Sequence, residues 1–261
     1  MPRLVASDVD GTLLDPLARL TERTGRAVAA VLAAGTPFVL VSGRPPRWIT
    51  PISELAGLDG YAVCANGAVV YDIGEDRVLT ARELDPVLLT DIAHELDTVL
   101  PGHRLAVERL SDPVFLTEHD YANPWGDDEH NPTSRAELLG RPAIKLLVRH
   151  PRLTSGEMAT LVDEVLRGLV DVTYSTNSGL IELSARGVTK AFGLAEVCRR
   201  LDVPAGGVVA FGDMPNDVEM LRWAGHGVAM ANAHPAALAA ADEVTGPNSE
   251  DGVAQVLERW F

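Results

Sequence analysis

The sequence predicts an α/β protein with a doubly wound parallel-sheet core and an inserted α+β cap domain. Three observations carry this. Short, continuously apolar runs alternate with helical stretches at both ends of the chain, as buried parallel strands and their covering helices do. That alternation breaks off in the middle third, where two adjacent strands are joined by a tight glycine-containing turn. Polar residues recur just past the carboxyl ends of the core strands, where open parallel sheets bind ligands. The expected division is a first core segment over residues 1–83, a cap over 84–186 and a second core segment over 187–261.

Arg3 to Val9 is short and mostly apolar and runs into Asp10-Gly11-Thr12, which predicts a buried strand closed by a turn. Glu22 to Ala34 has helical character and stops at Gly35, a common end signal. Pro37 to Val41 predicts a second strand ending at Ser42-Gly43-Arg44, part of Trp48 to Ala56 a helix, and Tyr61 to Ala65 a third strand ending at Asn66-Gly67. In the cap, a helix is expected over Val87 to Val99, a strand near Leu105 to Arg109 and an irregular polar stretch from Glu118 to Arg135. A strand at Ala143 to Val148 and a helix within Gly156 to Leu166 follow, then a hairpin of Val170 to Ser175 and Leu180 to Ser184 around Asn177-Ser178-Gly179. The core pattern resumes with a helix over Thr189 to Leu201 and a fourth strand, Val208 to Phe211, that ends at Gly212-Asp213. A helix through Val218 to Trp223, a fifth strand at His226 to Met230 and a small-residue helix after Pro235 complete it.

Composition narrows the function classes. Against 22 Lys and Arg stand 37 Asp and Glu, a formal net charge of −15. A field of that sign repels nucleic acid and anionic lipid, so neither is expected as a partner. Cys64 and Cys198 lie far apart, which gives neither a disulfide framework nor a thiolate metal site and fits a reducing, cytoplasmic compartment. Asp8 and Asp10 interrupt the only early apolar stretch, so no secretory signal is expected. The uncharged run Ala27 to Gly43 is cut by Gly35-Thr36-Pro37 into pieces too short to span a membrane.

The chemistry is read from the strand ends. Asp8 and Asp10 follow the first strand, Ser42 the second and Asp213 the fourth, and in such a sheet these positions converge. Asp8, Asp10 and Asp213, with Asp217 on the following helix, crowd carboxylates that repel one another unless a cation sits among them. Without His or Cys in these segments, an all-oxygen set favours Mg²⁺ over zinc. Ser42, Lys190 and Asn216, with the amides of the Gly11 and Gly43 turns, supply donors for phosphate oxygens, so the ensemble points to phosphoryl transfer. Only two of the 22 basic residues are lysine, Lys145 and Lys190, a usage that reserves lysine for sites needing a compact point charge.

Each residue also has a plainer reading. A single carboxylate caps helices and forms turns routinely, and it is the order of the motifs that favours catalysis. Asn66 precedes Gly67 and is first of all a turn signal; Arg44 and Arg47 could reach an anionic leaving group or simply lie on the surface. Arg44 and Asn66 are therefore the weaker substrate-contact candidates. Trp125-Gly126-Asp127-Asp128-Glu129-His130 reads as a solvated acidic loop in which Trp125 could stack on a sugar, and His119 lacks a second ligand at metal spacing.

Taken together, Asp8-Val9-Asp10-Gly11-Thr12-Leu13-Leu14, Val41-Ser42-Gly43-Arg44, Gly187-Val188-Thr189-Lys190 and Gly212-Asp213-Met214-Pro215-Asn216-Asp217 resemble, in order and spacing, the four motifs of the haloacid dehalogenase (HAD) superfamily. The insertion between the second and third motifs resembles the placement of the cap in Cof-type (HAD-IIB) sugar phosphatases, and Asn66-Gly67-Ala68 and Asp251-Gly252-Val253-Ala254 are similar to segments of that subfamily. Ala191 and Ala231 stand where the family frequently has glycine.

The resemblance implies roles. Asp8 would be the nucleophile that becomes an aspartyl-phosphate, and Asp10 the acid that protonates the leaving oxygen and then the base that activates water. Mg²⁺ would be held by the side chains of Asp8 and Asp213 and the backbone carbonyl of Asp10, with Asp217 supporting or completing the set. Ser42, Gly43, Lys190 and Asn216 would hold the phosphoryl group. The expectation is a Mg²⁺-dependent phosphatase acting on a small phosphorylated metabolite, a sugar phosphate. The alternatives are a phosphomannomutase-like transferase and a non-catalytic phosphate-binding module.

Overall fold

A computed structural model of the chain describes residues 1–123 and 131–261. The acidic loop read at Trp125 to His130 lies outside the described residues. The chain divides into two compact units, Met1–Thr80 with Thr189–Phe261, and Ala81–Val188. Residues 81–83 and 187–188, placed in the core segments from sequence, cluster with the insertion.

The first unit begins with β1 (Leu4–Ser7), α1 (Glu22–Ala33), β2 (Phe38–Val41), α2 (Thr50–Ala56), β3 (Tyr61–Cys64), β4 (Val69–Asp72) and β5 (Arg77–Ala81). The insertion contributes α3 (Pro86–Val99), β6 (Arg104–Glu108), β7 (Phe115–Thr117), α4 (Arg135–Leu139), β8 (Lys145–Arg149), α5 (Ser155–Leu166), β9 (Val170–Thr173) and β10 (Leu180–Ala185). The first unit then closes with α6 (Lys190–Arg200), β11 (Val208–Gly212), α7 (Val218–Trp223), β12 (His226–Ala229), α8 (Pro235–Leu238), β13 (Glu243–Val244) and α9 (Gly252–Leu257).

The large sheet runs β13-β12-β11-β1-β2-β3-β4-β5. From β13 to β3 all neighbours are parallel, with β1 in the middle between β11 and β2. Alternate residues point to opposite faces. Leu4, Ala6, Val39, Val41, Val208 and Ala210 bury one face against Leu194 and Val197 of α6 and Met220 of α7. Val5, Leu40 and Phe211 are equally buried on the other. Burial on both faces is why these strands read as continuous apolar runs. It also leaves polar side chains to the strand ends.

The sheet departs from the sequence expectation at its edges. Asn66-Gly67 does not merely end a strand: it turns the chain back so that β4 pairs antiparallel with β3, and β5 extends that edge. The backbone at Ala65, Asn66 and Gly67 is left-handed, with φ of 49°, 56° and 102°, as a tight reversal demands. At the far edge β13 also goes unread from sequence, as does α9, and at two residues β13 is too short to show a period.

The insertion is an antiparallel sheet ordered β7-β6-β8-β10-β9. Leu105, Val107, Leu146, Val148, Ile181 and Leu183 on one face bury against Leu89, Ile92 and Leu96 of α3 and Met158 and Val162 of α5. A capping box between Thr154 and Glu157 starts α5. The alternate residues include a buried ion pair, Lys145 Nζ to Glu182 Oε2 at 2.5 Å. Among the described residues, no helix is long and apolar enough to cross a membrane.

Candidate active site

The site is built where β1, β2 and β11 end. After Ser7 the chain leaves β1 in a wide turn closed by the Leu14 N–H donating to the Val9 carbonyl at 3.0 Å. Gly11 makes that turn possible twice over: its φ is +81°, and a Cβ there would meet Asp213 Oδ2 at 2.3 Å. Two further contacts tie the turn down. Thr12 Oγ1 donates to Asp213 Oδ1 at 3.1 Å, and Asn232 Nδ2 donates to the Gly11 carbonyl at 2.9 Å.

Asp8, Asp213 and Asp217 offer three carboxylate oxygens that all lie within 4.8 Å of one another, and all three residues are buried. Lys190, the first residue of α6, sends a fully buried ammonium into this group. Its Nζ donates to Asp8 Oδ1 at 2.5 Å and to Asp217 Oδ1 at 2.6 Å. The second oxygen of Asp217 accepts from the backbone amides of Asp213 at 3.1 Å and Met214 at 2.9 Å, so Asp217 fixes the strand end as well as the lysine.

The electrostatics follow from crowding in a dry pocket. Burial pushes the Asp8 carboxyl well above the usual carboxylate range, with Lys190 opposing that rise and Asp217 and Asp213 adding to it. Burial and the neighbouring Asp217 push Asp213 up to about 7, against the pull of Lys190 and the Thr12 hydrogen bond. Burial acts to depress Lys190, yet its two carboxylate partners outweigh it and the ammonium is held firmly charged. Were all three carboxylates to ionise, the single ammonium would leave a formal deficit of two positive charges. A hard divalent cation fits that deficit and this all-oxygen donor set. Asp8, Asp213 and Asp217 are the side chains that could hold it.

The Asp10 side chain lies outside this group. It is half exposed and engaged by Arg44, whose Nε donates to Oδ2 at 2.8 Å and Nη2 to Oδ1 at 2.6 Å. Those hydrogen bonds raise the guanidinium above its ordinary value despite partial burial.

A second set gathers at the ends of β2 and β3. Ser42 Oγ accepts from the Arg44 amide at 3.1 Å, and the Ser42 carbonyl accepts from the Asn66 amide at 3.0 Å. Gly43 backs onto Asn66, where a Cβ would stand 3.0 Å from Oδ1. Asn216 Nδ2 donates to Asn66 Oδ1 at 3.0 Å, while its own Oδ1 is buried with no partner among the described residues.

Of the residues named from sequence, Asp8, Asp213, Asp217 and Lys190 thus meet directly. Asp10 and Arg44 meet each other, and Ser42, Gly43, Asn66 and Asn216 form a neighbouring set. Thr12 and Asn232 were not singled out. Thr12 sits inside the Asp10-Gly11-Thr12 string and could have been flagged there, whereas nothing local marks Asn232 as the partner of a carbonyl 221 residues away.

The model of the haloacid dehalogenase-like hydrolase family matches residues 5–257. Similar curated proteins include a 5-amino-6-(5-phospho-D-ribitylamino)uracil phosphatase, YitU, of Bacillus subtilis, 30% identical over 269 residues covering 100% of this chain and 98% of its relative. The pyridoxal phosphate phosphatase YbhA of Escherichia coli is 31% identical over 270 residues, covering 98% of this chain and 97% of its own. Among solved structures, a sugar phosphatase of HAD subclass IIB superposes with a TM-score of 0.84 at 24% identity, over 99% of this chain and 98% of that one, which shows the shared fold.

Proposed function

Because the chain belongs to the haloacid dehalogenase-like hydrolase family, we propose that it hydrolyses a small phosphorylated metabolite, a sugar phosphate, by way of a phosphate ester on Asp8. It is a phosphoric monoester hydrolase, as its relatives YitU and YbhA are phosphatases by name. The observation that carries the assignment of Asp8 is its Oδ1, gripped at 2.5 Å by a fully buried lysine inside a three-carboxylate pocket. A carboxylate held in one rotamer and partly neutralised is prepared to attack phosphorus in line.

In the first step an Asp8 oxygen forms a bond to phosphorus as the bond to the leaving oxygen breaks, and the Asp10 carboxyl gives that oxygen its proton. In the second, the Asp10 carboxylate takes a proton from water, whose oxygen bonds to phosphorus as the Asp8 ester breaks, releasing inorganic phosphate and regenerating Asp8. Lys190 and the donors of the Ser42 set, including the Gly43 turn and the Asn66–Asn216 pair, offset the negative charge on the phosphoryl oxygens. Asp8, Asp213 and Asp217 would hold a Mg²⁺ ion, with the Asp10 carbonyl added as the family resemblance implies, and the ion would supply positive charge to offset that of the phosphoryl group.

The named substrates of the two curated relatives are phosphorylated small molecules, one of them carrying its phosphate on a ribityl chain, which supports a sugar phosphate here. A phosphate-release screen over several dozen phosphorylated metabolites, with and without Mg²⁺, tests the reading. One or a few metal-dependent hits, abolished in Asp8→Asn, are expected. A flat response without metal dependence would overturn it.

A further inference from the structure

We propose that Arg44 is a positioning residue that acts through Asp10 instead of binding substrate. The inference rests on the reading of Asp10 as acid and base.

Several observations support it. Arg44 faces Asp10 through two parallel donors, at 2.8 and 2.6 Å, the fork geometry in which a guanidinium fixes the plane of a carboxylate as well as its place. Its own backbone is fixed on both sides, by the amide donating to Ser42 Oγ at 3.1 Å and the carbonyl accepting from Ala65 at 2.9 Å. The guanidinium therefore projects from a rigid anchor at the end of β2 across to the turn after β1. Among the described residues, the Asp10 carboxylate takes no other hydrogen bond.

The side chains are 26% and 54% exposed, and an ion pair so open to water contributes little to stability. What it provides is orientation. Without Arg44 the Asp10 side chain would be free to rotate on an exposed turn. With Arg44 each oxygen accepts one donor and keeps a lone pair for a proton, so Asp10 can serve as acid and base from one position.

The test is a double-mutant cycle on the full chain in Mg²⁺ with 4-nitrophenyl phosphate, whose phenolate leaves without help from an acid. In Arg44→Ala, phosphorylation of Asp8 proceeds but water attack on the ester lacks an oriented base. A burst of nitrophenolate close to one per enzyme is expected, followed by steady turnover slowed about 10²-fold, as for loss of a general base. Asp10→Asn should behave alike, and adding Arg44→Ala to it should change kcat and KM by no more than about twofold, the mark of residues acting as a unit. Arg44→Lys, which keeps the charge and loses the fork, should recover only part of the rate.

If Arg44→Ala raises KM equally in the wild-type and Asp10→Asn backgrounds, the arginine binds substrate and the proposal fails. If thermal stability falls and no burst appears, its role is structural and the proposal fails again. Failure of the phosphatase reading is separately visible, since wild type would then show no metal-dependent hydrolysis or Asp8→Asn would keep it.

Discussion

Lys190 Nζ stands between Asp8 Oδ1 and Asp217 Oδ1, at 2.5 and 2.6 Å, with no exposed side-chain surface of its own. One ammonium thus links the end of β1 to the segment after β11. Replacing it with methionine keeps most of the length of the side chain and deletes the charge. The expected result for Lys190→Met is a fall in kcat of roughly 10²–10³, the loss typical of removing one preorganised donor to developing charge. Steady-state kinetics with circular dichroism would check it; unchanged kcat in a folded variant would show that the lysine is only a packing element.

Gly11 offers a sharper test of geometry. An alanine there must adopt a φ of +81° and place its methyl carbon 2.3 Å from Asp213 Oδ2, so either the turn or the carboxylate has to move. Displacement by about an ångström costs on the order of 10² in rate. Gly11→Ala should lose activity at least that far while the melting temperature changes modestly, because the turn lies at the sheet's margin. Retained activity would mean that the turn is looser than its hydrogen bonds imply.

The sequence made this convergence legible for a topological reason. Asp8, Ser42 and Asp213 each follow an apolar run, and in a parallel sheet those positions share one edge, so distance along the chain did not hide them. What stayed hidden depends on partner identity or on very short elements. Thr12 reads as a turn residue until its hydroxyl is seen on Asp213, 201 residues away. Arg44 reads equally well as a substrate contact or a surface charge until its fork is seen on Asp10. The reversal at Asn66-Gly67 was visible as a turn, but whether the next apolar residues, Val69 and Val70, pair back on β3 is a tertiary decision.

The inserted unit carries its own test. Lys145 and Glu182 form a 2.5 Å pair with side chains only 7% and 4% exposed, and Glu182 also accepts from Ser175 Oγ at 3.0 Å, so removing the lysine takes the positive charge away from a buried carboxylate. Lys145→Met should destabilise this unit by roughly 3–5 kcal/mol, whereas removing both charges in Lys145→Met with Glu182→Leu should restore part of that loss. Urea unfolding of the two variants would decide it, and equal losses in both would show that the pair is not what the fold depends on.

The last prediction concerns pH and metal together. With its carboxyl pushed up to about 7, Asp213 stays protonated in the folded chain over a range in which the unfolded chain has already ionised. The folded state then binds more protons, and stability must fall as pH rises from near the ordinary carboxylate value through about 7. Asp8, raised for the same reason, adds to the slope. The carboxylates held low by arginine, such as Asp15 and Glu196, act oppositely but only in more acidic solution, below their ordinary values. His103, whose pKa burial lowers, opposes the slope around its ordinary value near 6.5, so the comparison must isolate Asp213. Asp213→Asn does this by substituting a group that cannot ionise. In chelator, the melting temperature of wild type relative to Asp213→Asn should fall between about pH 5 and about pH 8. Mg²⁺ should reverse that trend in wild type alone, because a cation that binds the ionised folded state stabilises it more as protons leave. A wild-type difference that rises with pH in chelator would contradict the crowding of Asp8, Asp213 and Asp217 on which the cation site depends.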